Sequence, residues 1–205
     1  LLLEANSDHP TQIWFGEPLE DRVYGSGLAT FTDLEEVERE HVYFDACNGI
    51  TDGASDCLAS KGFQRIRLRL GGDAVLDLYN THMEAGSGDE DNAARQVHVD
   101  QLVESMTTES ADVAILFMGD TNLHGDDPVD MPLIDQLLGE PGLTEVCDAV
   151  GCPEPGRIDR IAFRSGGGVT LGADAWAVEP GYFDDDGVPL SDHDPISAEI
   201  TWDAR

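Results

Sequence analysis

The sequence predicts a mixed α/β (α+β) fold, and three stretches carry that expectation. Residues 63–70 (Phe-Gln-Arg-Ile-Arg-Leu-Arg-Leu) alternate apolar and polar side chains, the pattern of an antiparallel strand with one wet face. Gly71-Gly72-Asp73 turns that strand into a second run over 74–82, making a hairpin with a Gly-rich loop. Residues 92–107 set Val99, Leu102, Val103 and Met106 at helical spacing, and this helix delivers the chain to Ile115-Leu116-Phe117-Met118. Four apolar residues in a row read as a strand buried on both faces, with Gly119 ending it in a turn.

The remaining elements follow in order. Residues 1–5 read as the tail of a helix, 11–15 as a strand, and 25–31 as a turn feeding another strand. Residues 35–44 alternate acid and apolar in their second half, as a half-exposed strand does, and 47–61 form a loop. After the Ile115 strand, 132–138 reads as a second helix, and 157–163, 169–178 and 196–202 as strands. No internal repeat or interdomain linker stands out, so residues 1–205 are taken as one domain.

Charge narrows the partners. Forty-two acids against 11 bases give a formal net charge of −31, with Lys61 the only lysine. A surface this acidic repels nucleic acid and anionic membranes at long range and stays soluble in salt, which suits a saline or extracellular setting and disfavours a stable nucleic-acid complex. No apolar run reaches membrane-spanning length. Cys47 with Cys57, and Cys147 with Cys152, are close pairs inside loops without zinc-spaced histidines. Two small disulfides, and hence an oxidising compartment (extracellular or periplasmic), are favoured over four buried thiols.

Four strand boundaries carry polar groups: His82; Asp120 with Asn122; Asp159; and Asp192 with His193. Singly, each has a structural explanation. Gly-Asp-x-Asn is an ordinary turn, His82 could be satisfied by backbone, Asp159 could cap a turn or pair with Arg157, and Asp192 could cap the turn before Pro195. Together, however, Asn80-Thr81-His82, Gly119-Asp120-Thr121-Asn122, Ile158-Asp159-Arg160-Ile161 and Ser191-Asp192-His193-Asp194-Pro195 match in order the motifs of one family. From about Trp14 to Trp202 the chain resembles the endonuclease/exonuclease/phosphatase superfamily, which includes deoxyribonuclease I, neutral sphingomyelinases and inositol-polyphosphate phosphatases.

The resemblance implies a four-layered sandwich of two packed mixed sheets with helices outside and the site at one end. It also implies a metal-dependent phosphoric ester hydrolase. Asp120 and Asp192 would offer oxygens to Mg²⁺ (or Mn²⁺ or Ca²⁺), with Asn122 and His193 beside the ion. His193 would activate water, Asp159 would accept a hydrogen bond from its ring, Asn122 would hold a phosphate oxygen, and His82 would contact the phosphate or protonate the leaving oxygen. The other histidines, His9, His41, His98 and His124, match no motif and are expected in surface or loop positions.

The pattern departs from the family at the front. Members open with a strand bearing an Asn and a later strand ending in a metal-binding Glu; neither is found, and Glu4 sits in the wrong local pattern. The expectation is a domain without its N-terminal strands, supplied elsewhere in a longer chain, and exposing apolar edges for want of a central strand. Asp56-Cys57-Leu58-Ala59 followed by Lys61-Gly62-Phe63 resembles the secreted bacterial sphingomyelinase-like branch. A sphingomyelinase or phospholipase C-like phosphodiesterase is therefore expected first and a secreted deoxyribonuclease I-like nuclease second. The third expectation is a binding or assembly module that keeps the fold without the front ligands. No aromatic hairpin of the membrane-inserting kind stands out; Trp176, Tyr182 and Phe183 are the nearest candidates.

Overall fold

The computed structural model describes residues 7–50, 55–184 and 186–204; the expected helix tail at 1–5, with Glu4, lies outside them. In chain order the elements are β1 (Thr11–Trp14), β2 (Ala29–Thr32), β3 (Glu35–Tyr43), β4 (Gly62–Gly71), β5 (Ala74–His82), α1 (Asp89–Thr108) and β6 (Ala114–Asp120). Then come α2 (Met131–Gly139), β7 (Thr144–Glu145), α3 (Val146–Val150), β8 (Asp159–Arg164), β9 (Val169–Val178) and β10 (Ile196–Ala204). A 3-10 turn, Asp56–Leu58, interrupts the long loop ahead of β4. Both expected disulfides are formed, Cys47–Cys57 and Cys147–Cys152.

Six strands make one mixed sheet in the order β3-β4-β5-β6-β8-β7, and every pairing is antiparallel except β5 with β6. That parallel pair is joined through α1, because parallel neighbours need a crossover that carries the chain back to the starting edge. β1 with β2, and β9 with β10, form two separate antiparallel ribbons.

Strand alternation sorts the sheet's side chains into two cores. Phe63, Tyr79, Ile115, Phe117 and Ala162 point one way and pack with Val99, Leu102, Val103 and Met106 of α1 and Leu133 and Leu137 of α2. The intervening residues point the other way: Ile66, Leu68 and Leu78 against Ile13 of β1, and Leu76 and Ala114 against Val169 and Leu171 of β9. Helices, sheet and ribbons thus stack as an α/β sandwich, as expected. Burying a Leu or Ile side chain contributes about 1.5–3 kcal/mol, so two such cores on one sheet hold its strand ends in fixed register.

Three local expectations need correction. The arginine side of β4 is not wet: Arg65 is only 4% exposed and donates to Glu38 at 2.8 Å and Glu40 at 3.2 Å. Arg67 binds the fully buried Asp77 of β5 through two 2.7 Å hydrogen bonds. β4 lies between β3 and β5, so its cations meet carboxylates from both neighbours instead of water. Gly119 does not end its strand; β6 runs on to Asp120. At φ +148°, a Cβ on residue 119 would lie 2.2 Å from the Thr81 carbonyl oxygen, so glycine is what lets β6 close on β5 here. Finally, His98 is no surface residue. It is fully buried in α1, its Nε2 lies 2.8 Å from the Ala46 carbonyl, and its ring stacks on Phe44.

Candidate active site

Sheet topology alone brings three of the expected residues into one row. β5 and β6 run parallel, so His82 and Asp120 end their strands at the same edge and are register partners. β8 runs antiparallel to β6 and starts there, which pairs Asp159 with Asp120. All three share the parity of Leu78, Met118 and Ile161, so their side chains project on the ribbon face at one end of the sheet. The chain between β9 and β10 then lays His193 over the row.

The distances make this one cluster. His193 Nδ1 lies 2.9 and 3.1 Å from the two carboxylate oxygens of Asp159. Its Nε2 is 3.9 Å from Asp120 Oδ2, and that oxygen is 3.5 Å from His82 Nε2. With Nδ1–H donated to Asp159, the tautomer that remains presents a basic Nε2 toward Asp120 and His82. The turn after β6 is set by its own side chains. Asn122 adopts φ +50°, a left-handed conformation that asparagine tolerates better than most residues. Its backbone N–H donates to Asp120 Oδ1 at 2.9 Å, and its side-chain amide donates to the Met83 carbonyl at 3.2 Å. Thr121 is buried and donates to the Ile158 carbonyl through both its N–H and its hydroxyl, tying this turn to the start of β8.

The two imidazoles are pushed in opposite directions. For His193, burial works against the charged ring, but the hydrogen bond and charge of Asp159, with the charges of Asp120 and Asp192, outweigh it and hold the pKa above the ordinary histidine value. For His82, burial and then the Lys61 ammonium hold the pKa below that value against the pull of Asp120 and Asp56. One ring is thus tuned to take a proton and the other to stay neutral.

Among the described residues, the ligand atoms that lie within 4.8 Å of one another belong to Asp120, Asp159 and His193. Asp192 is exposed and stands outside that group, although its charge reaches His193. Lys61 was given no role in the site by the sequence reading, yet it is buried against it. Its Nζ lies 2.8 Å from Asp56 Oδ1 and 3.5 Å from His82 Nε2, and donates to the Met83 carbonyl at 2.7 Å. The available signal was the only lysine in the chain placed directly before a strand. A short hairpin with exposed apolar side chains is also present. Leu190 N–H donates to Tyr182 O and Asp184 N–H to Val188 O, leaving Tyr182, Phe183, Val188 and Leu190 exposed on a short hairpin. A cavity of about 330 Å³ runs from Tyr182 and Phe183 past Glu179 to His193. Trp176 lies in β9 instead.

This architecture recurs in solved structures. Similar ones include humanized D. rerio TDP2 (TM-score 0.64, 21% identity, 84% of this chain and 69% of that one). Sphingomyelinase C from Streptomyces griseocarneus superposes with TM-score 0.63 at 17% identity, over 97% of this chain and 80% of that one. An endonuclease/exonuclease/phosphatase from Beutenbergia cavernae does so with TM-score 0.59 at 14% identity, over 85% of this chain and 46% of that one. The chain shares the fold of these structures, one of them an endonuclease/exonuclease/phosphatase. No protein-family model matches the chain. Its sequence is similar to the sphingomyelinase of Mycobacterium bovis and Mycobacterium tuberculosis, 32% identical over 200 residues. The match takes in 91% of this chain but only 38% of the relative's length.

Proposed function

We propose that this chain forms the hydrolytic core of a secreted, Mg²⁺-dependent phosphodiesterase of the sphingomyelinase or phospholipase C type. The observation that carries the reading is the relay Asp159–His193, with its free Nε2 directed at Asp120 and His82. His193 takes the proton of an attacking water, and Asp159 stabilises the imidazolium that results. His82, kept neutral, donates a ring N–H hydrogen bond to the phosphate; to protonate the leaving oxygen it would first have to take up a proton and become imidazolium. Asn122 uses one amide hydrogen on Met83 and has a second for a phosphate oxygen.

The donor set fits a hard divalent cation, which prefers carboxylate oxygen and is commonly held by one or two carboxylates plus substrate phosphate. Asp120 would hold it, because Asp159 is already engaged by His193 and His193 is needed as the base. When bound, the ion would neutralise charge on the phosphate undergoing attack. Asp192 would act at longer range, through its charge on His193. As proposed from the sequence, a further ligand from elsewhere in a longer natural chain would complete the site.

Two features favour a lipid over DNA. The −31 charge opposes binding to a polyanion, and the exposed Tyr182, Phe183, Val188 and Leu190 beside His193 offer apolar contact to a bilayer interface. The test is phosphocholine release from sphingomyelin vesicles against nicking of plasmid DNA, each with Mg²⁺ and with EDTA. Release that EDTA abolishes is the expected result. Nicking without release would make the chain a nuclease, and neither activity in the full natural protein would make it a binding module.

A further inference from the structure

Glu84 lies two residues beyond His82 and takes no part in the hydrolytic chemistry, yet it is fully buried and one of its oxygens, Oε2, has no hydrogen-bond partner. A buried acid left half-satisfied is costly, so its retention calls for an explanation. Its other oxygen supplies one: Oε1 accepts the backbone N–H of Asn48 at 2.7 Å. Asn48 follows Cys47, and Asp56 precedes Cys57. Asp56 Oδ2 accepts the N–H of Ala85 at 2.5 Å, while its Oδ1 pairs with Lys61. The two ends of the disulfide-closed loop therefore grip the adjacent residues 84 and 85, one as donor and one as acceptor. Arg95 fastens the same segment from α1, donating to the carbonyls of Glu84 and Gly86, and the Glu84 N–H points at His98 Nδ1. Asn48 is itself fixed by a 2.7 Å hydrogen bond to Asp91.

We propose that Glu84 is a positioning residue for His82: it locks the Cys47–Cys57 loop onto the end of β5, and that loop sets Asp56 and Lys61 at the His82 ring. Asp56 cannot hold both Lys61 and Ala85 unless the loop stays seated, and the Asn48–Glu84 bond is the contact that seats its other end. Burial pushes the Glu84 carboxyl up to about 7, so near neutrality a large share of it is the neutral acid, which glutamine mimics in shape and in its carbonyl acceptor for the Asn48 N–H.

This assignment builds on the hydrolase reading, but its first test does not depend on turnover. Ring ¹H–¹³C spectra of the histidines are recorded at one fixed pH for wild type, Glu84→Ala and Glu84→Gln. The expected result is a His82 signal displaced or broadened in Glu84→Ala, an unmoved His193 signal, and recovery of the wild-type His82 signal in Glu84→Gln. An unmoved His82, equal movement of His82 and His193, or a failure of glutamine to restore the signal would overturn the assignment. If Glu84→Ala does not fold, the paired substitution Cys47→Ala with Cys57→Ala frees the loop while leaving Glu84 in place. It must displace His82 alone; a folded pair variant with His82 unmoved also overturns it. In a hydrolysis assay, Glu84→Ala should lower kcat by roughly ten- to a hundredfold with KM little changed, the signature of a misplaced catalytic group. The expected pattern of shifts with no hydrolysis by wild type or any variant would count against the hydrolase reading and not against the positioning role.

Discussion

The site is assembled from two unlike regions. His82, Asp120 and Asp159 stand on adjacent strands of the six-stranded sheet, locked in register by ladders and by packed cores on both faces. His193 comes from a loop between two strands of a separate ribbon, and its ring is tied to the sheet through Asp159. The comparison teaches that geometry and chemistry have been divided. The sheet supplies a row of strand-end polar groups held in register, and the loop supplies the imidazole proposed to transfer the proton, together with the exposed apolar surface beside it. Perturbing each region should therefore have a different signature.

The largest effects should fall where the regions meet. His193→Ala should cut hydrolysis by about 10²–10⁴-fold, the usual contribution of a general base, while leaving the unfolding midpoint almost unchanged because the ring is partly exposed. Asp159→Asn should be the sharper probe. It keeps the shape but removes the charge that raises the His193 pKa, so the rise of kcat/KM with pH should move to lower pH as the total rate falls. A pH–rate profile of the variant checks this, and an unmoved midpoint would mean that Asp159 does not govern His193.

The sheet should answer in stability instead. Asp77 is fully buried between the partly buried Arg67 and the Ser110 hydroxyl, so Asp77→Ala leaves both donors without their carboxylate and should cost about 1–3 kcal/mol in urea unfolding. No such loss is expected from a substitution in the 182–190 hairpin.

A further prediction uses two neighbouring groups with opposite pH dependence. Burial holds His98 down to about 4, so between about 4 and its unfolded value near 6.5 the unfolded chain binds more protons and stability falls as the pH drops. Glu84 is raised to about 7 from 4.5, so across that window the folded chain binds more protons and stability falls as the pH rises. The two slopes oppose each other between about 4.5 and 6.5. Glu84→Gln should therefore uncover a steeper gain of stability with pH in this range, and His98→Gln should reverse the sign. Unfolding midpoints measured from pH 4.5 to 7 decide it.

How much of this could be read from the sequence differs between the regions in the same way. The strand-end groups were legible because alternation, the Gly-Asp-x-Asn turn and the order of motifs are local signals. What covers a face is not local. Arg65 and Arg67 alternate as wet residues do, and only the neighbouring β3 and β5 reveal the carboxylates that dry them. His98 was misplaced because it fits no motif, although it sits one residue before Val99 and four before Leu102, on the apolar side of α1. Lys61, Asp56 and Glu84 meet only because β5, the disulfide loop and the segment after His82 converge, which no spacing encodes. The hairpin did carry a local signal. Asp-Asp-Asp-Gly, a turn-prone run, separates Tyr182-Phe183 from Val188-Pro189-Leu190 in the sequence.

That hairpin carries the smallest expected effect on the fold and the cleanest separation of the two regions. Phe183 and Leu190 are more than half exposed, so changing either to alanine should alter stability by no more than about 0.5 kcal/mol. The sheet row and the Asp159–His193 pair stay intact in these variants. Hydrolysis of a soluble phosphodiester should therefore be unchanged, while hydrolysis and binding of sphingomyelin vesicles should fall, because the lost side chains are the apolar surface offered beside the His193 imidazole. Equal losses on soluble and bilayer substrates would show that the hairpin supports His193 itself, and the two regions would then have to be treated as one.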